Sequence, residues 1–186
     1  MTFPSRDQAL TILTEHTSGE SLLKHAYAVE AAMRYYAGRA GEDVEAWGVA
    51  GLLHDFDYER YPSLEDHPFK GAEILRARGV DEALIQTILS HAPHTGVVPE
   101  TPMQKTLYAV DELCGFVTAV ALVRPSKKLA DVEPSSVKKK LKDKGFARNV
   151  SREDITTGAE LIGLPLDEHI QNVIDALKPV AGELGL

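Results

Sequence analysis

The chain has 186 residues, 44% hydrophobic and 26% charged, which predicts one globular domain burying about 70% of its unfolded surface. Its 20 basic and 28 acidic residues leave a net charge of −8, against DNA or an anionic membrane as the main partner, although a small phosphorylated substrate needs only a local cluster. The single Cys114 excludes an internal disulfide, the first residues carry no apolar signal core, and the longest apolar stretch, residues 116–123, falls short of the roughly 18–20 residues of a membrane span, so a cytoplasmic protein is expected.

The long segments read at a helical period, with no alternating strand-like run and no internal repeat. A first helix is predicted after Pro4-Ser5, with Ala9, Leu10, Ile12 and Leu13 on its apolar face. Thr17-Ser-Gly-Glu20 has capping-box spacing and predicts the start of a second helix, striped by Leu22, Ala26, Val29, Met33 and Tyr36 and stopped at Gly41. His25 lies three residues from Leu22 and four from Val29, at that stripe's edge. The third helix runs from about Asp43 through Leu53 and ends in an adjacent His54-Asp55 pair. A carboxylate beside an imidazole at the end of an apolar helix needs a hydrogen-bond network or a metal to compensate its burial.

Residues 56–66 read as a loop, and His67 precedes Pro68 near the N-terminus of a fourth helix that stops at Gly79. Asp81 caps the next helix, whose apolar positions Leu84, Ile85, Ile88, Leu89 and Ala92 share a face with His91. A loop around Pro93, His94, Gly96 and Pro99 leads to Thr101-Pro102, an N-cap followed by proline, which opens an apolar helix to about Val123. Leu107, Asp111, Cys114 and Thr118 line one side of it, so Asp111 faces inward, and residues 113–123 read as core packing. A lysine-rich solvated helix after Pro134, a short one capped by Ser151-x-x-Asp154, and a last one striped by Leu166, Ile170, Val173, Leu177 and Leu184 complete an all-α fold of about eight helices. His16 and His169 read as surface or helix-edge residues.

Imidazole nitrogens and carboxylate oxygens are the ligand set of iron, manganese, nickel, cobalt or zinc, and the lack of a cysteine cluster excludes a thiolate site. His25, His54, Asp55 and Asp111 suffice for one metal. Adding His67 and His91 supplies two, with Asp55 bridging them. The order His25, His54-Asp55, His67, His91, Asp111 resembles the HD-domain superfamily of metal-dependent phosphohydrolases, and its dinuclear branch in particular. The resemblance covers residues 20–125 as the metal-binding core of a single domain, 1–186, with residues 126–186 as C-terminal helices packing on it. Residues 111–116 and 123–127 also look like those of short bacterial HD hydrolases.

What the resemblance implies is hydrolysis of a small phosphorylated substrate, often a nucleotide, by a metal-bound hydroxide, with two divalent metal ions per chain. The same pattern also resembles HD-type di-iron oxygenases, and a non-catalytic metal- or nucleotide-binding regulatory module is a further alternative. Some mononuclear members place a glutamate three residues after the doublet's aspartate; here Tyr58 stands there, flanked by Asp57 and Glu59, so Asp55, Asp57 and Glu59 are the candidate catalytic carboxylates. His94, Arg124, Lys127 and Lys128 are candidates for holding the substrate, the last three through charge-assisted bonds to phosphate.

Overall fold

Caps and breakers in the sequence set most of the helix ends in the structure, a computed structural model that describes residues 3–186. Ser5 and Gln8 close a capping box on α1 (Arg6–His16), and Asp43 accepts the backbone N–H groups of Glu45 and Ala46 at the start of α3 (Val44–Leu53). Between them α2 (Glu20–Ala40) ends at Gly41, whose φ of 71° is left-handed and suits glycine. Then follow α4 (Phe69–Ala77), α5 (Glu82–Leu89) capped by Asp81, and α6 (Pro102–Leu122) with the predicted Thr101 cap and a second capping box through Gln104. The chain closes with α7 (Pro134–Leu141), α8 (Arg152–Leu161) capped by Ser151, α9 (Leu166–Leu177), and a single turn, α10 (Ala181–Leu184). No strand is present among the described residues, as the all-α reading requires.

The two 21-residue helices, α2 and α6, each about 30 Å long, form the axis of the molecule. One face of α2 carries Ala26, Val29, Met33 and Ala37, all buried, and α3 lies against it. The crossing is close because Gly51 has no side chain: a Cβ there would stand 2.8 Å from the Val29 carbonyl oxygen. This contact fixes the end of α3, and with it the His54-Asp55 pair, relative to His25 on α2. Helix α8 approaches α6 equally closely, Gly158 packing on Ala109 where a Cβ would meet the backbone at 2.6 Å.

Four expectations need correction. Thr17 is not the cap of α2: it ends α1, and its buried hydroxyl donates to the Phe56 carbonyl at 2.9 Å. The free N–H groups of Ser18 and Gly19 are instead accepted by Glu59 from a distant turn. His169 is not at the surface but fully buried: Tyr36 Oη donates to its Nδ1 at 2.7 Å and its Nε2–H donates to the Ala109 carbonyl at 2.9 Å. Burial lowers its pKa, so the neutral ring ties α2, α6 and α9 together. Helix α5 stops at Leu89, so His91 lies in the turn just beyond it rather than within it. Finally, Leu122 and Val123 at the end of α6 are exposed, while Leu113, Phe116, Val117 and Val120 are core. No helix is long and apolar enough to cross a membrane among the described residues.

Candidate metal centre

Five separate stretches of chain deliver the six predicted residues to one place. His25 comes from the middle of α2 and Asp111 from the middle of α6, facing each other with His25 Nε2 2.9 Å from Asp111 Oδ1. His54 and Asp55 arrive together because Leu52 and Leu53 are fully buried and hold the end of α3 in the core. His67 precedes α4 and His91 follows α5. His54 Nε2 lies 3.2 Å from His25 Nε2 and 3.3 Å from Asp111 Oδ1.

Asp55 divides its carboxylate between two groups of histidines. Its Oδ2 faces His54 Nε2 at 3.5 Å and His25 Nε2 at 4.0 Å, whereas Oδ1 faces His67 Nε2 at 3.2 Å and His91 Nε2 at 3.3 Å. The residues therefore form two half-sites, His25–His54–Asp55 and Asp55–His67–His91, and within each the ligand atoms lie within 4.8 Å of one another. Asp111 completes the first.

The far ring nitrogens show which atoms are free to bind. Nδ1 of His54 contacts the Gly51 carbonyl at 2.8 Å and Nδ1 of His91 the Ile88 carbonyl at 2.5 Å. A carbonyl only accepts, so each Nδ1 carries a proton and each ring turns its Nε2 inward, toward the carboxylates. His67 is oriented in the same way by Asp57, whose Oδ1 lies 2.8 Å from Nδ1 while its Oδ2 accepts the Gly71 N–H at 2.7 Å. Such backing is what metal-ligating histidines require. Four Nε2 atoms and two carboxylates thus converge with no lysine or arginine among them, and this donor set fits one or more first-row divalent cations.

The electrostatics agree. Burial works against charge at Asp55 and Asp111, but the neighbouring imidazoles hold both carboxyls well below the usual range. Burial likewise disfavours the imidazolium at His67, yet hydrogen bonds to Asp55 and Asp57 push it up to about 9. The field that would hold a proton there would equally hold a metal cation.

A cleft of about 580 Å³ opens onto Asp55, His67, His91, His25 and Asp111. His94 lines it, with Nε2 donating to the His67 carbonyl at 2.7 Å. The other predicted residues lie elsewhere. Asp57 is fully buried behind His67, and Glu59 is engaged by Ser18 and Gly19. Arg124 bonds to Ser136 Oγ beyond the end of α6, which runs about 17 Å past Asp111, and neither it nor Lys127 nor Lys128 lines the cleft. Tyr108, Glu112, Asn149 and Asp154 do line it and were not singled out. Tyr108, three residues before Asp111, had a signal in the helical spacing, and Glu112 stands four beyond Tyr108; nothing in the spacing pointed to Asn149 and Asp154. Burial, then the charge of Asp111, pushes the Glu112 carboxyl up to about 7, and a cation beside Asp111 would pull it back down.

Residues 22–113 match the family described as HD domain. Ribonuclease Y of Thermosipho melanesiensis is 31% identical over 116 residues, covering 62% of this chain and 21% of that protein. Ribonuclease Y of Thermotoga maritima is 30% identical over 139 residues, covering 73% of this chain and 27% of that protein. A tRNA (cytidine(56)-2'-O)-methyltransferase of Picrophilus torridus is 25% identical over 124 residues, 59% of this chain and 36% of the methyltransferase. The chain thus spans about a quarter of the length of the ribonucleases it matches. No solved structure matches it significantly.

Proposed function

This chain belongs to the HD-domain superfamily, and from that premise we propose that it is a phosphohydrolase acting on a small phosphorylated substrate with two divalent metal ions. The observation that carries the reading is the divided carboxylate of Asp55, with one oxygen toward each histidine group. When bound, a pair of divalent cations supplies Lewis acidity and an activated water for attack at phosphorus.

The chain's own residues set the stage for that attack. His54, His67 and His91 are locked by Gly51, Asp57 and Ile88, so their Nε2 lone pairs need no reorientation. Asp111 and His25 close one end and leave the cleft side open to substrate. His94, held by the His67 carbonyl, stands at the rim where a phosphate oxygen would enter.

Elemental analysis of protein purified without chelators, on native chain and His67→Ala, tests the reading together with phosphate release from a panel of monoesters and nucleotides. Expected are about two metals per chain, falling to about one in the variant, with phosphate release in the native protein. Absence of metal from both proteins would defeat it. An iron pair with oxygen uptake and no phosphate release would favour the oxygenase chemistry of the same superfamily instead.

A further inference from the structure

We infer that the centre selects phosphate monoesters whose organic part donates hydrogen bonds, and rejects polyanions such as RNA. The inference rests on the phosphohydrolase reading and concerns the wall of the cleft that α6, α8 and the turn before α8 supply. That wall is built by Tyr108 and Glu112 of α6, Asp154 of α8, and Asn149 in the turn before it. Tyr108 Oη donates to Asp154 Oδ1 at 2.7 Å, which fixes that carboxylate and leaves Oδ2 without this donor. Neither Glu112 nor Asp154 has a lysine or arginine partner among the described residues, and the cleft lining contains no lysine or arginine.

A phosphate lodged at the histidine end would place the carbon skeleton of its ester against these acceptors. These half-buried carboxylates accept hydrogen bonds, and hydroxyl or ammonium groups supply the donors. A second phosphate in the same position would meet two carboxylates and no cation. A nucleic-acid strand, which relies on a basic track along its backbone, finds none in the cleft lining, on a chain of net charge −8. Lys24 is the nearby lysine: it lines an adjoining cleft that shares His25 and Gly115, and it is ion-paired with Glu20 at 2.7 Å. Tyr58 and Leu64 at the lip, with Val150 opposite, offer apolar surface to the carbon atoms between phosphate and donor.

Metal-reconstituted full chain is assayed for kcat/KM on propyl phosphate, glycerol phosphate, aminopropyl phosphate and a short oligoribonucleotide. The expected result is a preference of about tenfold or more for the two donor-bearing esters over propyl phosphate, with the oligoribonucleotide poorest. Which of the two leads tells hydroxyl from ammonium recognition. In the double variant Glu112→Gln/Asp154→Asn the preference should fall severalfold toward one. Equal kcat/KM for the three monoesters, or preference for the oligoribonucleotide, would overturn the inference and leave the hydrolase standing, and so would an undiminished preference in a folded double variant. No hydrolysis of any ester by metal-loaded protein would remove both.

Discussion

Asp57 and Glu59 stand two positions apart and end on opposite sides of the turn that follows the His54-Asp55 pair. Asp57 points into the core and braces His67 and the Gly71 N–H; Glu59 points out and caps the start of α2. Asp57→Asn puts an amide where two N–H donors converge, so metal affinity at the second half-site should drop about 10- to 100-fold while the first half-site keeps its metal. Stepwise chelation followed by elemental analysis reads this directly. For Glu59, the N–H of Gly19 and then the hydroxyl and N–H of Ser18 hold the carboxyl below its ordinary 4.5. A depressed carboxylate contributes stability that is present above 4.5 and lost as the pH falls through the lower folded value. Glu59→Gln should therefore melt earlier than native protein at neutral pH with metal content intact, and the gap should close on acidification. The sequence placed both residues beside the doublet but could not tell them apart, because a turn's direction is set by what it packs against. Phe56, fully buried just before Asp57, is the residue that decides it.

At the scale of helices, apolar periodicity and caps made nearly every element legible, and Thr101-Pro102 and Asp81 began their helices as read. The misplaced start of α2 has a physical cause: a cap supplied by Glu59, forty residues on, leaves no local signature. The reach of α6 explains the other discrepancy. Arg124, Lys127 and Lys128 follow Asp111 closely in sequence, but α6 runs on for about 17 Å past Asp111 before the chain reaches them, and none of the three lines the cleft. Alanine at all three should leave KM for phosphate esters unchanged, a steady-state measurement that an involvement in phosphate binding would contradict. Gly51→Ala carries the opposite expectation. Its methyl meets Val29 and Glu30 backbone atoms at 2.8–2.9 Å, so α3 must move off α2 at an overpacking cost of about 1–3 kcal/mol. Denaturant melts should show that loss, and elemental analysis a loss of metal with it, since His54 and His25 separate.

Taken whole, the molecule assembles its centre from both halves of the chain. The cluster from His25 to Asp111 was readable because the chemistry of metal binding restricts residue type and order. The facing wall was not, because an acceptor in a cleft can be supplied by many side chains from any neighbouring element. Helix α8 brings Asp154 to the cleft through the close approach of Gly158 to Ala109, a packing fact with no motif of its own.

That division has a consequence for inheritance. The region that matches the HD family ends at residue 113, while Asn149, Val150 and Asp154 lie beyond it. On the proposed reading, reactivity is encoded in one segment and selectivity is shared with another, and the two can drift at different speeds. Two chains could keep every metal ligand in common and still part company over which ester they accept, after a few substitutions on a single helix. Grafting α8 and its preceding turn between such chains would move the taste without touching the teeth.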